Sequence, residues 1–429
     1  MRNKMAVCFL MLINLSTICF DQNDTGIRIF RYNGLDTSNS TKLRIINLAK
    51  AGHYNYIQVP FYCFYANGNG TADGSKMRSW MYSANRYKIK LIPEIPCVSA
   101  STDTIYYSYL PRAAWSTLYG QGHLNIGKFN KTDPLGVRGY GYPSLASDPT
   151  YDSLWVHMID TLNQASKDTK CTLRYVHILH DEIAENQNIL IGGGVFDRML
   201  SLSKFDTAYI NARLRAGDSA QTAVGNLLIS EIYRRAVTCN SIFCHPKTII
   251  YSDAFDPQFN GKDSDQTCLS KKVGALVNNQ MGVGIKNPTT DSNMAMTIPT
   301  SHYDTSYTNK VYLPSFLVLL PGLSSAQKIF FKSNVILMPW NYGGINYDST
   351  TFQYYSNAGF KFIFDTGIGD SSGLETTTDS IYSAQSEMQL VADAKKFKSN
   401  CLGYEFAYWL DSPSKTDSLL MLKLYNLSK

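Results

Sequence analysis

The 429-residue sequence lacks the patterns that mark several large classes of protein. Its nine cysteines include no C-x-x-C pair, so no zinc site of the finger type is predicted. Lys and Arg exceed Asp and Glu by only 6 and form no basic stripe, which argues against a nucleic-acid-binding protein. Past the N-terminal segment, no apolar run is long enough to span a membrane. The remaining class is a globular chain, rich in tyrosines whose rings suit sugar or protein partners.

The N-terminus has the composition of a secretory signal peptide. Met1–Lys4 is basic, and Met5–Phe20 is almost entirely apolar but too short and too polar to cross a membrane. We therefore predict a signal peptide over residues 1–20 and a secreted or periplasmic mature protein over residues 21–429. A lipid anchor on Cys19 is disfavoured, because Ile18 is bulky where such sites prefer a small residue.

Seven cysteines remain after the signal peptide, so at least one of them has no disulfide partner within the chain. Cys239 and Cys244 flank a short loop and are the best candidates for a disulfide. Cys268 competes with them as a partner.

Eight short runs of β-branched, aromatic and apolar residues alternate with helical or irregular segments along the chain. Their spacing is that of right-handed crossover units, which predicts a parallel sheet. Eight such units in this length predict an α/β protein with a single (β/α)8 TIM-barrel domain over residues 21–429. The predicted strands are Gly26–Tyr32, Tyr54–Phe61, Ile89–Ile95, Leu173–Ile178, Lys247–Asp253, Asn334–Trp340, Phe360–Asp365 and Leu402–Trp409.

Amphipathic stripes predict helices between these strands. They lie at Thr41–Ala51, Met77–Tyr87 and Tyr151–Ser166, as one or two helices within Phe205–Thr238, and at Met388–Phe397. Cys97–Thr150 is too long and too rich in Tyr, Gly and Ser for a simple connection. We therefore expect long strand-to-helix loops of functional importance.

The fourth predicted strand runs directly into His180, Asp181 and Glu182. Adjacent carboxylates at the end of a buried strand are costly to place there unless chemistry uses them. Active sites of α/β barrels are built at this end of the strands. Asp181 and Glu182 are therefore the predicted catalytic pair. Polar or aromatic residues also end most other strands, namely Arg31, Glu94, Asp253, Trp340, Asp365 and Trp409.

The segment His177–Glu182 resembles the His-x-Gly-Gly-Asp-Glu signature of glycoside hydrolase family 20, the β-N-acetylhexosaminidases. Four further stretches resemble parts of that family in the same order, so that the likeness extends over most of residues 26–412. They are Leu91–Ile95 for its third strand, Tyr142–Leu145 for the approach to its fourth, Ile249–Asp253 for the strand that often carries Trp-x-Asp, and Trp409–Asp411 for its closing Trp-x-Glu.

The resemblance implies substrate-assisted, retaining hydrolysis of glycans that contain N-acetylhexosamine, without a cofactor. Glu182 would be the general acid and then the base, and Asp181 would orient the 2-acetamido group. Tyr342 would donate to the acetamido oxygen, and Trp340 and Trp409 would wall the sugar pocket. The expected substrate-binding residues are Arg31, His177, Asp253, Trp340, Tyr342, Trp409 and Asp411.

Three alternatives remain open at this stage. Leu179 and His180 replace the two glycines of the signature, which favours a non-catalytic carbohydrate-binding barrel derived from the family. His177, His180 and the two carboxylates are all metal-ligand types, which would suit a metal-dependent hydrolase. Finally, Asp181 and Glu182 could simply stabilise the N-terminus of a following helix.

A chelator separates the metal-dependent alternative from the family-20 interpretation. No step of substrate-assisted hydrolysis needs a Lewis acid, so EDTA is expected to leave hydrolysis of N-acetylhexosaminides unchanged. The measurement is release of a chromogenic aglycone before and after dialysis against EDTA. Loss of activity that zinc restores would favour the metal-dependent alternative.

Overall fold

The computed structural model describes residues 26–32, 38–60, 74–98, 124–127, 141–180, 199–201, 203–218, 220–252, 323–341, 349–368, 392, 395–397 and 399–408. The predicted signal peptide and the N-terminal boundary of the barrel lie outside these residues. No helix within the described ranges combines the length and apolarity needed to cross a membrane.

Eight parallel strands form the central sheet, and each corresponds to one of the eight predicted runs. The sixth strand is followed, after Pro339, by a two-residue continuation at Trp340–Asn341. The strands are β1 (Ile27–Tyr32), β2 (Tyr56–Pro60), β3 (Lys90–Val98), β4 (Tyr175–His180), β5 (Lys247–Tyr251), β6 (Val335–Met338), β7 (Lys361–Ile368) and β8 (Cys401–Tyr408).

The sheet closes on itself into a barrel. Each strand pairs in parallel with its sequence neighbours, from β1–β2 through β7–β8. The first and last strands also pair, with Ile27 opposite Gly403 and Tyr32 opposite Tyr408. The predicted (β/α)8 barrel is confirmed.

Helices cover the outside of the barrel between the strands. Most of the predicted helices are present, and the Phe205–Thr238 region contains two. The helices are α1 (Asn39–Ala51), α2 (Gly74–Tyr87), α3 (Pro149–Thr169), α4 (Lys204–Arg215), α5 (Ala220–Asn240), α6 (Ser325–Asn334) and α7 (Ser349–Asn357). Most of the predicted helix Met388–Phe397 lies outside the described residues, and its last three residues form a 3-10 turn.

Local sequence signals explain where these helices begin. The side chains of Ser38 and Asp148 accept hydrogen bonds from backbone N–H groups at the starts of α1 and α3. Pro149 opens α3, where its missing N–H is no loss. The sequence analysis missed α6, although Ser324 and Gln327 form a reciprocal capping box there.

A second, three-stranded antiparallel sheet comes from the segments that follow β3 and β4. Its central strand, Leu124–Gly127, pairs with Gly141–Pro143 and with Met199–Ser201. Two of these strands lie within the predicted long loop Cys97–Thr150. This part of the loop therefore has regular structure.

Two apolar cores hold the barrel and its helices together. The larger one lies between the strands and the surrounding helices and includes Trp80, Trp155 and Phe331. The smaller one fills the barrel interior, and its members are Ile27, Ile29, Tyr56, Ile92, Tyr175, Ile249, Tyr251, Ile336, Met338 and Ile363. Because side chains alternate between the two faces of a strand, neighbouring positions enter different cores.

The proposed disulfide between Cys239 and Cys244 is wrong. Cys239 is a free, fully buried thiol at the end of α5. Burial raises its pKa to about 12, so the thiol stays protonated and behaves as a small apolar group. Cys268 lies outside the described residues.

Gly403 is required where the barrel closes between β8 and β1. A Cβ at this position would lie 1.8 Å from the carbonyl oxygen of Ile27, and the φ of Gly403 is +154°. The obstacle is backbone, which cannot rotate away as a side chain could. Only glycine fits here without separating the two strands.

Gly403→Ala is therefore expected to lower the free energy of unfolding by about 3 kcal/mol or more, from overpacking at a point that cannot relax. Urea unfolding followed by circular dichroism measures the change. The control is Gly217→Ala, because Gly217 has φ +94° but nothing lies within 4 Å of an added Cβ. Its backbone strain alone should cost about 1 kcal/mol. Equal losses in the two variants would contradict the steric argument.

Candidate active site

Seven polar side chains from seven strands lie inside the barrel, towards the carboxyl ends of the strands. Six of them come two positions after an apolar interior residue, as Arg31 follows Ile29 and Glu94 follows Ile92. Because side chains two positions apart point to the same face of a strand, these polar side chains also point into the barrel, nearer to the carboxyl ends than the apolar ones. All seven are at most 4% exposed. We call them the polar cluster: Arg31, Gln58, Glu94, His177, Tyr251, Asp365 and Glu405.

The pair of Arg31 and Glu94 is at the centre of the polar cluster. Arg31 Nε donates to Glu94 Oε2 at 2.8 Å, and Nη2 donates to Oε1 at 3.1 Å. Gln58 Nε2 donates to the same Oε2 atom at 2.7 Å. Two parallel hydrogen bonds between a guanidinium and a carboxylate are strong and directional. They fix the relative position of β1 and β3, with β2 between them.

Tyr251 extends this network across the barrel. Its hydroxyl accepts a hydrogen bond from Arg31 Nη1 and donates to Asp365 Oδ2 at 3.3 Å. The His177 ring packs edge-on against the Tyr251 ring, with 4.5 Å between their centroids. One tyrosine therefore links β1, β4, β5 and β7.

The cluster holds three carboxyl groups and a single guanidinium. Arg31 Nε lies 3.9 Å from Glu405 Oε1, and Glu405 is directly opposite Asp365 in the β7–β8 pairing. Burial, and then the negative charge of Asp365, raise the pKa of Glu405 well above its ordinary value of 4.5, although Arg31 opposes the shift. Glu405 therefore keeps its proton well above the pH at which an exposed glutamate loses it.

His177 is neutral in this environment. Burial, and then the positive charge of Arg31, lower its pKa well below 6.5. Neither ring nitrogen has a hydrogen-bond partner among the described residues, although the side chain is fully buried. A neutral imidazole offers one donor and one acceptor, so His177 can still form two hydrogen bonds.

Of the predicted site residues, the structure brings Arg31 and His177 together through Tyr251. Trp340 lies in the continuation of β6, where its backbone is directly opposite Asp365. The other six lie outside the described residues and remain predictions: Asp181, Glu182, Asp253, Tyr342, Trp409 and Asp411. In the sequence, Asp181 comes directly after His180, the last residue of β4, and β4 is the strand that carries His177.

The sequence analysis did not assign Gln58, Tyr251 or Glu405 to the site. Each of them interrupts or ends an apolar strand. Glu405 lies within Tyr404–Ala407, four consecutive residues that are all buried. A single carboxylate in a buried strand is costly, so the position of Glu405 in an apolar run could have identified it as a site residue from the sequence. Among the described residues, no group of three His, Cys, Asp or Glu side chains could hold a metal ion.

Comparison with known proteins supports the fold and goes no further. No family model matches the chain, and no curated protein sequence matches it. The catalytic domain of a β-amylase from Paenibacillus polymyxa has a TM-score of 0.52 and 9% identity, covering 94% of this chain and 99% of that one. At this identity the similarity shows a shared barrel fold only.

Weaker similarities include two further solved structures. Dispersin B has a TM-score of 0.44 and 8% identity, covering 94% of this chain and 96% of its own. An inactive mutant of a GH20 exo β-N-acetylglucosaminidase from Vibrio harveyi has a TM-score of 0.42 and 11% identity, covering 94% and 58% respectively.

The raised pKa of Glu405 makes stability depend on pH in a specific direction. Above 4.5 the unfolded chain releases a proton that the folded chain still holds, so stability falls as the pH rises towards the folded-state pKa. The slope reaches about 1.4 kcal/mol per pH unit. Glu405→Gln introduces an amide that has the shape of the protonated carboxyl group and does not titrate. The free energy of unfolding of this variant should therefore fall less steeply with pH.

The measurement is urea unfolding at several pH values above 4.5, where the folded chain holds a proton that the unfolded chain has released. Asp160→Asn removes an exposed carboxyl from α3 and serves as the control, with an unchanged profile expected. A Glu405→Gln profile as steep as that of the parent protein would contradict the assignment of the proton.

Proposed function

We propose that the chain is a glycoside hydrolase that cleaves N-acetylhexosamine-containing glycans by substrate-assisted catalysis. The observation that carries the proposal is the position of the polar cluster. It lies at the end of the barrel where strands finish, and β4 contributes His177 to it and then leads directly into Asp181 and Glu182. In (β/α)8 enzymes, catalytic residues come from this end of the strands.

In the proposed mechanism, Glu182 donates its proton to the glycosidic oxygen as the bond to the anomeric carbon breaks. The carbonyl oxygen of the 2-acetamido group attacks that carbon from the other face and closes a five-membered oxazolinium ring. Asp181 accepts a hydrogen bond from the acetamido N–H and stabilises its growing positive charge. Ionised Glu182 then takes a proton from water, which opens the ring with net retention of configuration.

The described residues would support this chemistry by holding the strand ends in place. The bidentate pair of Arg31 and Glu94 fixes β1 against β3. Neutral His177 can form hydrogen bonds without adding charge beside the reacting centre. Positioning within a fraction of an ångström matters, because a misplaced acid loses most of its effect.

A non-catalytic carbohydrate-binding barrel is the second candidate. The observation that favours it is that all three nitrogens of the Arg31 guanidinium already donate to Glu94 or Tyr251. The Arg31 guanidinium therefore has few donors left for a sugar hydroxyl, and the sequence also departs from the family signature in having Leu179 and His180 in place of its glycines. Such a protein would bind amino sugars without turning them over.

The test uses chromogenic N-acetylglucosaminide, N-acetylgalactosaminide and a non-acetylated glucoside with the purified mature protein. Activity on either acetamido sugar but not on the glucoside is the expected result, because the acetamido group is the nucleophile. Saturable binding of N-acetylhexosamine without turnover would support the binding barrel. If the protein neither binds nor hydrolyses these sugars, both candidates are overturned.

Two substitutions separate the proposed roles of the acids. Glu182→Gln should slow the hydrolysis of natural glycosides by about 10²–10⁴-fold. It should largely spare activated aryl glycosides, because their aryl leaving group departs with little help from an acid. Asp181→Asn should slow both by a similar factor, because the acetamido group displaces either leaving group and Asp181 stabilises the acetamido group in each case. The ratio of kcat/KM between the two substrate types is the measurement.

Glu185→Gln provides the matched control, since it makes the same change three residues further along the chain. It should leave kcat/KM unchanged for both substrate types. If Glu182→Gln and Asp181→Asn respond equally to the leaving group, the roles have been assigned wrongly.

A further inference from the structure

A groove of about 640 Å³ lies on the outside of the barrel, between the first turn of α1 and one face of α2. On α2, its lining residues recur at intervals of three and four, which places them along one side of the helix. The lining includes three basic side chains, Lys42, Arg78 and Arg86, and no acidic one. The volume is that of a site for a small organic ligand.

Lys42 is the unusual member of this lining, because the residue is largely buried and has no negative partner within the described part of the chain. Its exposure is 5%. Nζ donates to Ser79 Oγ at 2.5 Å and lies 5.9 Å from the centre of the Trp80 ring. No ion pair joins Lys42 to a carboxylate within the described part of the chain. Burying an ammonium group beside only a hydroxyl and a ring is costly.

The two arginines in the groove differ in how their charge is balanced. Arg78 donates to Asp168 Oδ2 from Nε at 2.8 Å and from Nη2 at 2.6 Å, so its charge is already neutralised. Arg86 is exposed, its guanidinium lies 5.7 Å from the centre of the Tyr87 ring, and no ion pair joins it to an acid among the described residues. The groove therefore carries two positive charges, from Lys42 and Arg86, that no described acid balances.

The first turns of both helices also line the groove, at Asn39 and Ser75. Neither α1 nor α2 has an acidic residue in its first turn, where a negative side chain would normally complement the helix dipole. Leu43 and Tyr82 are 38% and 56% exposed and add an apolar surface beside the charged one. The groove thus combines a cationic wall with an apolar one.

We propose that this groove binds a small organic anion, with a carboxylate, sulfate or phosphate group against Lys42 and the body of the ligand on Leu43 and Tyr82. Arg86, about two turns further along α2 than Ser79, adds positive potential to the same groove. The anion supplies the counter-charge that the protein does not provide. The groove is on the outer surface of the barrel, so the proposal does not depend on the reaction assigned to the interior.

Isothermal titration calorimetry on the full mature chain tests the proposal, with sulfate, phosphate and glucuronate as probes and glucose as the neutral reference. Sodium chloride keeps the ionic strength constant throughout. Saturable binding of at least one anion, with none of glucose, is the expected result. The order of the three affinities shows which of these anions the groove prefers. No saturable binding of any anion would overturn the proposal.

Two variants and a matched control locate the site. Lys42→Met keeps the apolar stem and removes the charge, and it should weaken binding by about ten-fold to a hundred-fold, as loss of a charge-assisted hydrogen bond does. It should also raise the melting temperature of the unliganded protein, since an unbalanced buried charge is gone. Arg86→Gln should weaken binding several-fold without changing stability.

Arg44→Gln is the control, because it removes the same charge from α1 outside the groove. Its affinity should equal that of the parent protein. An equal loss in Arg44→Gln and Arg86→Gln would mean that general surface charge attracts the anion, which overturns a defined site. If Lys42→Met does not fold, the comparison of these two arginine variants decides the question.

Discussion

The buried guanidinium of Arg31 is the contact on which the barrel interior depends. It faces Glu94 through two hydrogen bonds, reaches the hydroxyl of Tyr251 and lies 3.9 Å from Glu405. Three carboxyl groups could not share this volume without it, because like charges repel strongly where water is excluded. Removing one partner of a buried ion pair typically costs about 3–5 kcal/mol, since the remaining charge stays buried.

The apolar interior residues and the polar cluster divide the barrel into two functional levels. Isoleucines and tyrosines fill the first level and supply packing, while the second level holds groups that can donate, accept or hold a proton. This division separates stability from chemistry along the same strands. His177 shows the consequence: it packs against Tyr251 as a core residue would, yet both of its nitrogens are available for hydrogen bonds.

The interior and the outer groove deal with unbalanced charge in opposite ways. Inside the barrel negative groups are in excess, and the raised pKa of Glu405 resolves the excess by keeping a proton. Between α1 and α2 the excess is positive, and burial lowers the pKa of Lys42 from its ordinary value of 10.5. A proton balances the first site; the second can be balanced by an anion from solution.

How much could be predicted from sequence differed between the strands and the site. The strands were predictable because a buried parallel strand is a continuous apolar run, and the helix starts because Ser38 and Asp148 act locally. Asp181 and Glu182 were predicted from their position directly after such a run and remain predictions, and Arg31 was predicted from its position at a strand end. These signals involve only neighbouring residues. The missed helix α6 also had a local signal, in Ser324 and Gln327.

The sequence by itself therefore determined the order of strands and helices and the positions of several polar strand ends. Only the closed barrel decided that Gln58, Tyr251 and Glu405 join Arg31. Which face of a strand points inward depends on register with neighbours that are distant in sequence, and a shift of one residue reverses it. The pairing of β8 with β1 brings Gly403 against Ile27 and sets Glu405 beside the guanidinium. No local pattern could specify that contact, because its partners lie more than 370 residues apart in the chain.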